Sequence, residues 1–247
     1  MEQTQKFPTE VVDLPSKGLL YDKSSPLSKG SIEMKYMTAK EEDILTNQNY
    51  IEKGVVIDKL IQSLIVDKSI DYGDLLVGDK NALLLASRIL GYGGEYTFEY
   101  LGEEHTVDLQ KIEHKPLHED FKKATENVFE FELPASGRVI TFKLLTHRDE
   151  TKIEQEMKGL KKINKDASPT VTTRLKYMIL SVDGEDTPAK IRGFINNEFL
   201  ARDSRTFREY ISKLQPDVDL IFYPENGPDK GVTLPVGVNF LWPDAEL

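Results

Sequence analysis

The sequence predicts an α+β fold with an extended N-terminal arm, two helical clusters and about three β-hairpins. Apolar residues recur at helical spacing in two separate stretches, residues 39–90 and 146–214. Between and after these stretches the pattern changes to the alternation that is typical of strands, as at Tyr96, Phe98 and Tyr100. The changes of period divide the chain into three expected regions. They are the arm at residues 1–36, a helical cluster with the first hairpin at residues 37–125, and a hairpin, a helical cluster and a C-terminal hairpin with an aromatic tail at residues 126–247.

The arm is expected to lie extended against a protein surface. Its prolines and glycines interrupt it too often for a helix. It nevertheless carries more apolar residues than a free, disordered tail would. The surface that it covers is either its own domain or a neighbouring subunit, and we expect Leu14, Leu19, Leu20 and Tyr21 to make the contact.

The first helical cluster has recognisable start and stop signals. Thr38 and Glu41 have the spacing of a capping box, which predicts that a helix begins at residue 39. Asp79 can cap a later helix, and the glycines of residues 91–94 can end it. The predicted helices span residues 39–48, 55–66 and 80–90.

Three hairpins are predicted from alternating segments that flank turn residues. The expected strand pairs are residues 96–100 with 106–109, 128–133 with 138–145, and 219–223 with 232–238. Their lengths are similar, but their residues are too different to indicate a repeat.

The second helical cluster lies between the second and third hairpins. Thr146 with Asp149, and the Ser-Pro and Thr-Pro pairs that follow, are typical helix starts. Asp203 or Ser204 is the expected cap of the last helix, which favours capping and ion pairing over an anion site for the nearby arginines. The predicted helices span residues 146–164, 170–182, 189–197 and 205–214.

The composition excludes several classes of function. The 247-residue chain has no cysteine, which removes disulfides, thiolate zinc sites and cysteine nucleophiles. Its net charge of −10 argues against nucleic-acid binding, because phosphate contacts are made through clustered Lys and Arg. No apolar run approaches the roughly 20 residues that span a bilayer, and the first residues lack the apolar stretch of a secretion signal. We therefore expect no membrane span and synthesis in the cytosol.

No motif predicts a catalytic residue, a cofactor site or a metal site. His114 and His118 have the spacing of two zinc ligands, but Pro116 lies between them and no third-ligand motif follows. Residues 14–18 (LPSKG) lack the first glycine of a phosphate loop, which favours a simple turn. Residues 183–186 (DGED) lack the ligand spacing of an EF-hand and are expected to form a solvated turn. The sequence therefore predicts neither a cofactor nor a small-molecule substrate.

The C-terminus is unusually aromatic for a chain end. Phe240, Leu241 and the only tryptophan, Trp242, lie within the last residues, where chains usually fray. Either these side chains close the protein's own core, or they contact another subunit. We take them as candidate partner-binding residues together with those of the arm.

Several blocks of the sequence together resemble one protein family. The first two are residues 14–21 (LPSKGLLY) and 33–45 (EMKYMTAKEEDIL). The others are GDKNA at 78–82 continuing to RILGYG at 88–93, ARDSR at 201–205 and FLWPD at 240–244. Their order is similar to that in the baseplate proteins of T-even-like bacteriophages, the family of hub subunits and hub assembly factors. The resemblance spans nearly the whole chain.

This resemblance implies a non-enzymatic role in the hub of a contractile tail baseplate, through contacts with other hub proteins. Some family members carry Cys-x-x-Cys pairs on their hairpins, which suggests zinc ribbons, and this chain has none. The chain is then a subunit of the virion or a transient assembly chaperone that leaves before the tail is finished. An enzyme whose site is scattered in sequence is a third class. The expected location is the host cytoplasm during assembly, and the tail baseplate if the protein stays in the particle.

Overall fold

The computed structural model describes residues 8–163, 169–224 and 231–241, without the side chains of Val238 and Asn239. The fold class is α+β, as the sequence predicts, with helices interspersed between small antiparallel sheets. None of the described helices is long and apolar enough to cross a membrane.

The first half of the described chain contains a hairpin, a set of helices and a second hairpin. In order these are β1 (Thr9–Asp13), β2 (Ser31–Lys35), α1 (Ala39–Leu45), α2 (Gln48–Lys53), α3 (Val56–Leu64), α4 (Val77–Tyr92), β3 (Glu95–Tyr100) and β4 (Glu103–Asp108).

A short helix leads into the second half, which follows a similar order. Its elements are α5 (Glu119–Lys123), β5 (Phe129–Glu132), β6 (Val139–Phe142), α6 (His147–Ile163), α7 (Thr170–Met178), β7 (Ile179–Val182), α8 (Pro188–Asn197), α9 (Ala201–Leu214), β8 (Ile221–Phe222), β9 (Val232–Thr233) and α10 (Val238–Leu241).

The N-terminal region is a β-hairpin, not the extended arm that the sequence predicts. β1 and β2 pair antiparallel, with Val12 opposite Ile32. Ile32 and Met34 are buried while Glu33 between them is exposed, so β2 has the expected alternation of a half-buried strand. Sequence reasoning missed it because this alternation covers one short strand, and residues 14–30 separate it from β1.

The three predicted hairpins are confirmed. β3 and β4 are joined by Leu101 and Gly102, whose φ angles of 54° and 83° are those of a tight type I′ turn. β5 pairs with β6, and β8 pairs with β9 over only two residues each. Most of the predicted turn of the third hairpin, residues 225–230, lies outside the described residues.

A further strand replaces the end of a predicted helix. The helix expected over residues 170–182 ends at Met178, and β7 pairs with the free side of β6. Three of the four residues of β7 are buried. A short buried apolar run has no periodicity that distinguishes a strand from a helix. For this reason the sequence pattern wrongly predicted helix over the residues of β7.

The boundaries of two helices change the roles of their aspartates. α4 begins at Val77, three residues before its predicted start, and α9 begins at Ala201, four residues before its predicted start. Asp79 was the expected N-cap of one helix and Asp203 or Ser204 that of the other, but Asp79 and Asp203 are each the third residue of their helix and are fully buried. Their partners therefore lie in other parts of the chain.

The two halves are built on one repeated arrangement. In each half a strand leads through an L-P-x-x-G turn into a second strand, helices follow, and the chain returns to pair with the second strand. Met34 of β2 faces Ile65 in this way, and Phe142 of β6 faces Ile179. Each half ends with a helix that carries a buried aspartate, α4 or α9, and with a hairpin. We call residues 9–108 the first repeat and residues 129–233 the second repeat.

The hydrophobic residues form two clusters, one for each repeat. Each cluster also contains residues from the opposite end of the chain. The first cluster includes the side chains of α3 and α4 and also Val218, Leu234 and Phe240 from the end of the chain. The second contains the side chains of β5 to α9 and also Leu20 from the N-terminal region. The predicted regions group the C-terminal hairpin with the second helical cluster. In the structure it packs with the first helical cluster instead.

Candidate functional site

The candidate partner-binding residues are mostly inside the protein. Leu14 and Leu20 are 1% and 7% exposed, and they belong to different hydrophobic clusters. Tyr21 is half-buried and packs against both clusters, and only Leu19 is largely exposed, at 42%. The apolar surface of this segment therefore joins the two repeats instead of offering a broad docking face.

The aromatic chain end is also internal as far as the structure describes it. Phe240 and Leu241 are buried, and the Phe240 ring meets Tyr96 edge-on at 4.9 Å. The Tyr96 hydroxyl donates a 2.7 Å hydrogen bond to the carbonyl of Pro235. Of the two possibilities, the described residues fit closure of the protein's own core. Trp242 lies outside the described residues.

A buried polar cluster fixes the LPSKG turn. The Asp79 carboxylate accepts hydrogen bonds from the Ser16 N–H (2.9 Å), the Ser16 hydroxyl (2.6 Å) and the Tyr21 hydroxyl (2.5 Å). The Tyr21 oxygen in turn accepts from the Leu76 N–H at 2.8 Å. Each polar atom of the cluster thus has a partner, as buried polar groups require.

Burial and hydrogen bonding have opposite effects on the pKa of Asp79. Burial raises the pKa of Asp79, while the hydrogen bonds from Ser16 and Tyr21 stabilise its charged form. Burial and the neighbouring Asp79 charge also raise the pKa of Tyr21, which stays a hydrogen-bond donor over the physiological range. The cluster is a structural anchor, because its hydrogen bonds join the N-terminal turn to the start of α4.

The turn itself needs its glycine. Lys17 and Gly18 have φ angles of 53° and 76°, and a Cβ on Gly18 would lie 2.5 Å from the carbonyl oxygen of Ser28. Only glycine fits such a position without strain. The LPSKG motif is therefore a turn, as predicted, and its backbone is directed at protein atoms.

The second repeat has an equivalent anchor. Asp203 accepts hydrogen bonds from the N–H groups of Ala135 (2.7 Å) and Ser136 (3.1 Å), which lie in the turn LPASG between β5 and β6. Asp79 and Asp203 thus have the same place in their helices and bind the same kind of turn. Of the arginines near Asp203, Arg205 pairs with Glu209 at 2.9 Å, in agreement with the predicted ion pairing.

A second repeated motif holds the segment that precedes α1 against the first turn of this helix. The Glu41 carboxylate accepts a hydrogen bond from the Thr38 N–H (3.1 Å) and pairs with Lys35 (2.7 Å). Burial alone would raise the pKa of Glu41, but the bonds from Lys35 and Thr38 outweigh it and lower that pKa. The predicted capping box is confirmed and has an added cation.

The same motif precedes α6. Asp149 accepts from the Thr146 N–H (3.1 Å) and pairs with Lys143 (2.7 Å), which again lowers the pKa of the carboxyl against the effect of burial. The sequence signal is K-x-x-T-x-x-acid in both repeats. It could have revealed the duplication, which a comparison of the hairpins alone did not.

A polar cleft of about 630 Å³ lies between α6 and the segment that follows α3. Tyr72 and His147 line it, and their rings meet edge-on at 4.6 Å. Behind them, Asp58 accepts a hydrogen bond from the Tyr72 hydroxyl (3.0 Å) and pairs with Lys80 (2.7 Å). Sequence reasoning missed this cluster because its residues come from four separate segments with no common motif.

The histidine of the cleft has both ring nitrogens engaged. Lys80 lies 3.3 Å from Nδ1, and an ammonium can only donate, so the proton of the neutral ring is on Nε2. Nε2 faces the Asp58 carboxylate at 3.5 Å. Burial and the Lys80 charge lower the pKa of His147. No lone pair of the ring remains to take a proton from a substrate. His147 is therefore part of a network of paired charges and is not placed to act as a general base.

The remaining sequence motifs have separate places. His114 is exposed and faces Val218 in a β-bridge, whereas the Nδ1 of His118 accepts from the Asp120 N–H at the start of α5. Residues 183–186 are exposed and form the predicted turn. Within the part of the chain that the structure describes, no group of three or more metal-ligating side chains converges.

The comparisons with known proteins give no relatives. No protein-family model, no curated protein and no solved structure matches the chain.

Proposed function

We propose that this chain is a non-enzymatic component of a contractile phage tail baseplate hub that acts through protein–protein contacts, either as a virion subunit or as an assembly factor. The proposal begins from the resemblance to the baseplate proteins of T-even-like phages. The observation that carries it is where the resembling blocks lie in the fold.

Blocks far apart in sequence meet in space. Residues 14–21 contact residues 78–82 through the Ser16–Asp79 hydrogen bonds. Residues 33–45 contact residues 88–93 at Glu42, which accepts from the Tyr92 hydroxyl at 3.0 Å. A shared architecture of these blocks would require such contacts.

The polar cleft is the best place for the competing enzyme hypothesis. Its charged groups are paired with one another, and Arg148 at its rim pairs with Asp71 (2.6 Å) and Asp74 (3.0 Å). Such mutual compensation favours a structural network between α4 and α6. Another cavity, of about 380 Å³ beside α7 and α9, has an apolar wall, and Arg174 in its lining is paired to Glu150.

The composition of purified tails tests the proposal. Quantitative mass spectrometry of finished particles and of tail precursors, from a phage that encodes this chain, should find it in one or both. Presence in finished particles identifies a subunit, and presence only in precursors identifies an assembly factor. Absence from both overturns the proposal.

A further inference from the structure

The cavity of about 380 Å³ beside α7 and α9 combines apolar side chains with a group of cations. Its apolar lining consists of Leu145, Val171, Leu175, Met178 and Ile211. Its charged lining consists of Lys115, Arg174, Arg208 and a single acid, Asp217. The cavity thus collects positive charge in a chain whose net charge is −10.

The first repeat has a leucine, Leu60, at the place of Arg174. α3 and α7 each contain nine residues. Each helix ends directly before a residue that pairs with the second strand of its repeat, Ile65 after α3 and Ile179 after α7. Counted back from these two residues, Leu60 and Arg174 are equivalent. Leu60 is fully buried in the first hydrophobic cluster, whereas Arg174 lines the cavity.

The first repeat also has a leucine, Leu84, at the place of Arg208. The anchoring aspartates Asp79 and Asp203 are each the third residue of their helix, and Leu84 and Arg208 follow them at the same distance in sequence. Leu84 is buried in the first hydrophobic cluster, whereas Arg208 is exposed and lines the cavity. Two buried leucines of the first repeat are thus replaced by arginines in the second.

A helix that covers the first repeat has no counterpart beside the cavity. α2 packs at the N-terminal end of α3, where Val55 donates its N–H to the Tyr50 carbonyl at 2.9 Å. Tyr50 and Ile51 of α2 pack against the first hydrophobic cluster. The cavity lies at the same end of α7, since Thr170 and Val171 line it. Between α6 and α7, the residues that the structure describes form no helix equivalent to α2.

Arg208 is the cation of the cavity that is available to an anion. Its Nε donates to a backbone carbonyl of its own helix at 3.2 Å, and no acid among the described residues forms an ion pair with it. Arg174 and Lys115 each have an acidic partner, Glu150 and Asp217. A guanidinium forms strong charge-assisted hydrogen bonds with a carboxylate, and an apolar lining favours an apolar body beside it.

We propose that this cavity binds a carboxylate that carries an apolar chain. The carboxylate pairs with Arg208, and the apolar chain packs against Leu175 and Met178, at the end of α7 that α2 would cover in the first repeat. A free organic acid and the apolar C-terminal residue of another polypeptide both have this chemistry. The proposal does not depend on the baseplate assignment.

Isothermal titration calorimetry of the full chain with octanoate tests the proposal. The wild type should bind octanoate with a Kd of about 1 mM or below, and octanol, which lacks the charge, more weakly. Arg208→Gln should weaken octanoate binding about tenfold or more, because it removes the charge that pairs with the carboxylate. Arg205→Gln, the matched control, removes the same charge from α9 outside the cavity and should bind octanoate like the wild type.

A second probe distinguishes the two sources of the carboxylate. N-acetyl-alanyl-leucine presents the end of a polypeptide, and its C-terminal amide is the uncharged control. Tighter binding of octanoate identifies a free organic acid, and tighter binding of the peptide identifies a chain end. In both cases the methyl resonance of Met178 should shift on binding. A wild type that binds neither probe at about 10 mM overturns the proposal. Binding that Arg208→Gln leaves unchanged, or that does not shift Met178, overturns it as well.

Discussion

The hydroxyl of Tyr21 donates a 2.5 Å hydrogen bond to the carboxylate of Asp79, which lies 58 residues further along the chain. The same hydroxyl accepts the N–H of Leu76, at the entrance to α4. One side chain thus ties the N-terminal turn to the start of the longest helix of the first repeat. It does so at the place where the two hydrophobic clusters meet.

We predict that Tyr21→Phe destabilises the protein by about 1–3 kcal/mol, because it leaves the buried Leu76 N–H without a partner and removes one of the two hydrogen bonds that Oδ2 of Asp79 accepts. Tyr36→Phe is the matched control, since its hydroxyl also donates to a carboxylate, that of Glu10, but at the surface. That variant should leave the free energy of unfolding almost unchanged. Urea denaturation of both proteins measures the difference, and equal effects would contradict the role given to the buried cluster.

Gly78 allows α4 to touch the segment that follows α9. A Cβ at this position would lie 1.7 Å from the carbonyl oxygen of Pro216, so the two backbones would have to separate. We expect Gly78→Ala to cost about 3 kcal/mol or more. Gly193 lies in the interior of α8, and an added Cβ would meet no neighbouring atom within 4 Å. Gly193→Ala should therefore stabilise the protein by about 0.5–1 kcal/mol. Thermal unfolding distinguishes these opposite signs, and a neutral Gly78→Ala would disprove the close approach.

The chain end contributes to folding through Phe240. Its ring is 1% exposed and packs on Tyr96, so Phe240→Ala should cost about 3–5 kcal/mol. Val171→Ala removes an apolar side chain that is 42% exposed and should have a small effect. The melting temperatures of the isolated variants provide the measurement. A Phe240→Ala protein that melts like the wild type would point to a partner contact instead.

The polar cleft should make stability depend on pH below neutrality. The lowered pKa of His147 means that the unfolded chain binds a proton more readily than the folded chain. The contribution of the neutral ring is therefore complete above the unfolded pKa of about 6.5 and is lost as the pH falls from there toward the folded value. The charged groups that face the ring are Lys80, Asp58, Glu154 and Arg148.

His147→Gln removes this titration while keeping a polar side chain. The slope of unfolding free energy against pH should be shallower in the variant than in the wild type below pH of about 6.5. Parallel slopes from denaturation curves in this range would show that His147 does not titrate between the two states.

The elements predicted correctly are those with local signals. Thr38 with Glu41 caps α1, and the alternation of Tyr96 and Phe98 gives β3, because neighbouring residues alone decide these features. β2 and β7 were missed, since a strand of a few residues depends on a distant partner. Asp79 has the pattern of a cap, and only the fold reveals that its donors come from Ser16 and Tyr21.

The candidate site was predictable only in part for the same reason. Leu14, Leu20 and Phe240 were candidate partner-binding residues, and the sequence left open whether the chain itself or another subunit covers them; in the structure the chain itself buries all three. The cleft around His147 has no local signal. The duplication does have one, in the two L-P-x-x-G turns, but insertions change the spacing between matching residues and conceal the period.

We propose that the folded chain works by binding other proteins of a tail baseplate hub. Affinity purification of the tagged chain, from cells in which tails are being assembled, tests this claim most directly when the bound proteins are identified and quantified by mass spectrometry. The wild type should recover baseplate hub proteins in a fixed ratio, whereas Gly78→Ala, with its fold disrupted, should recover far less. Recovery of the wild type alone, or with proteins unrelated to tails, would show that the chain does not bind hub proteins.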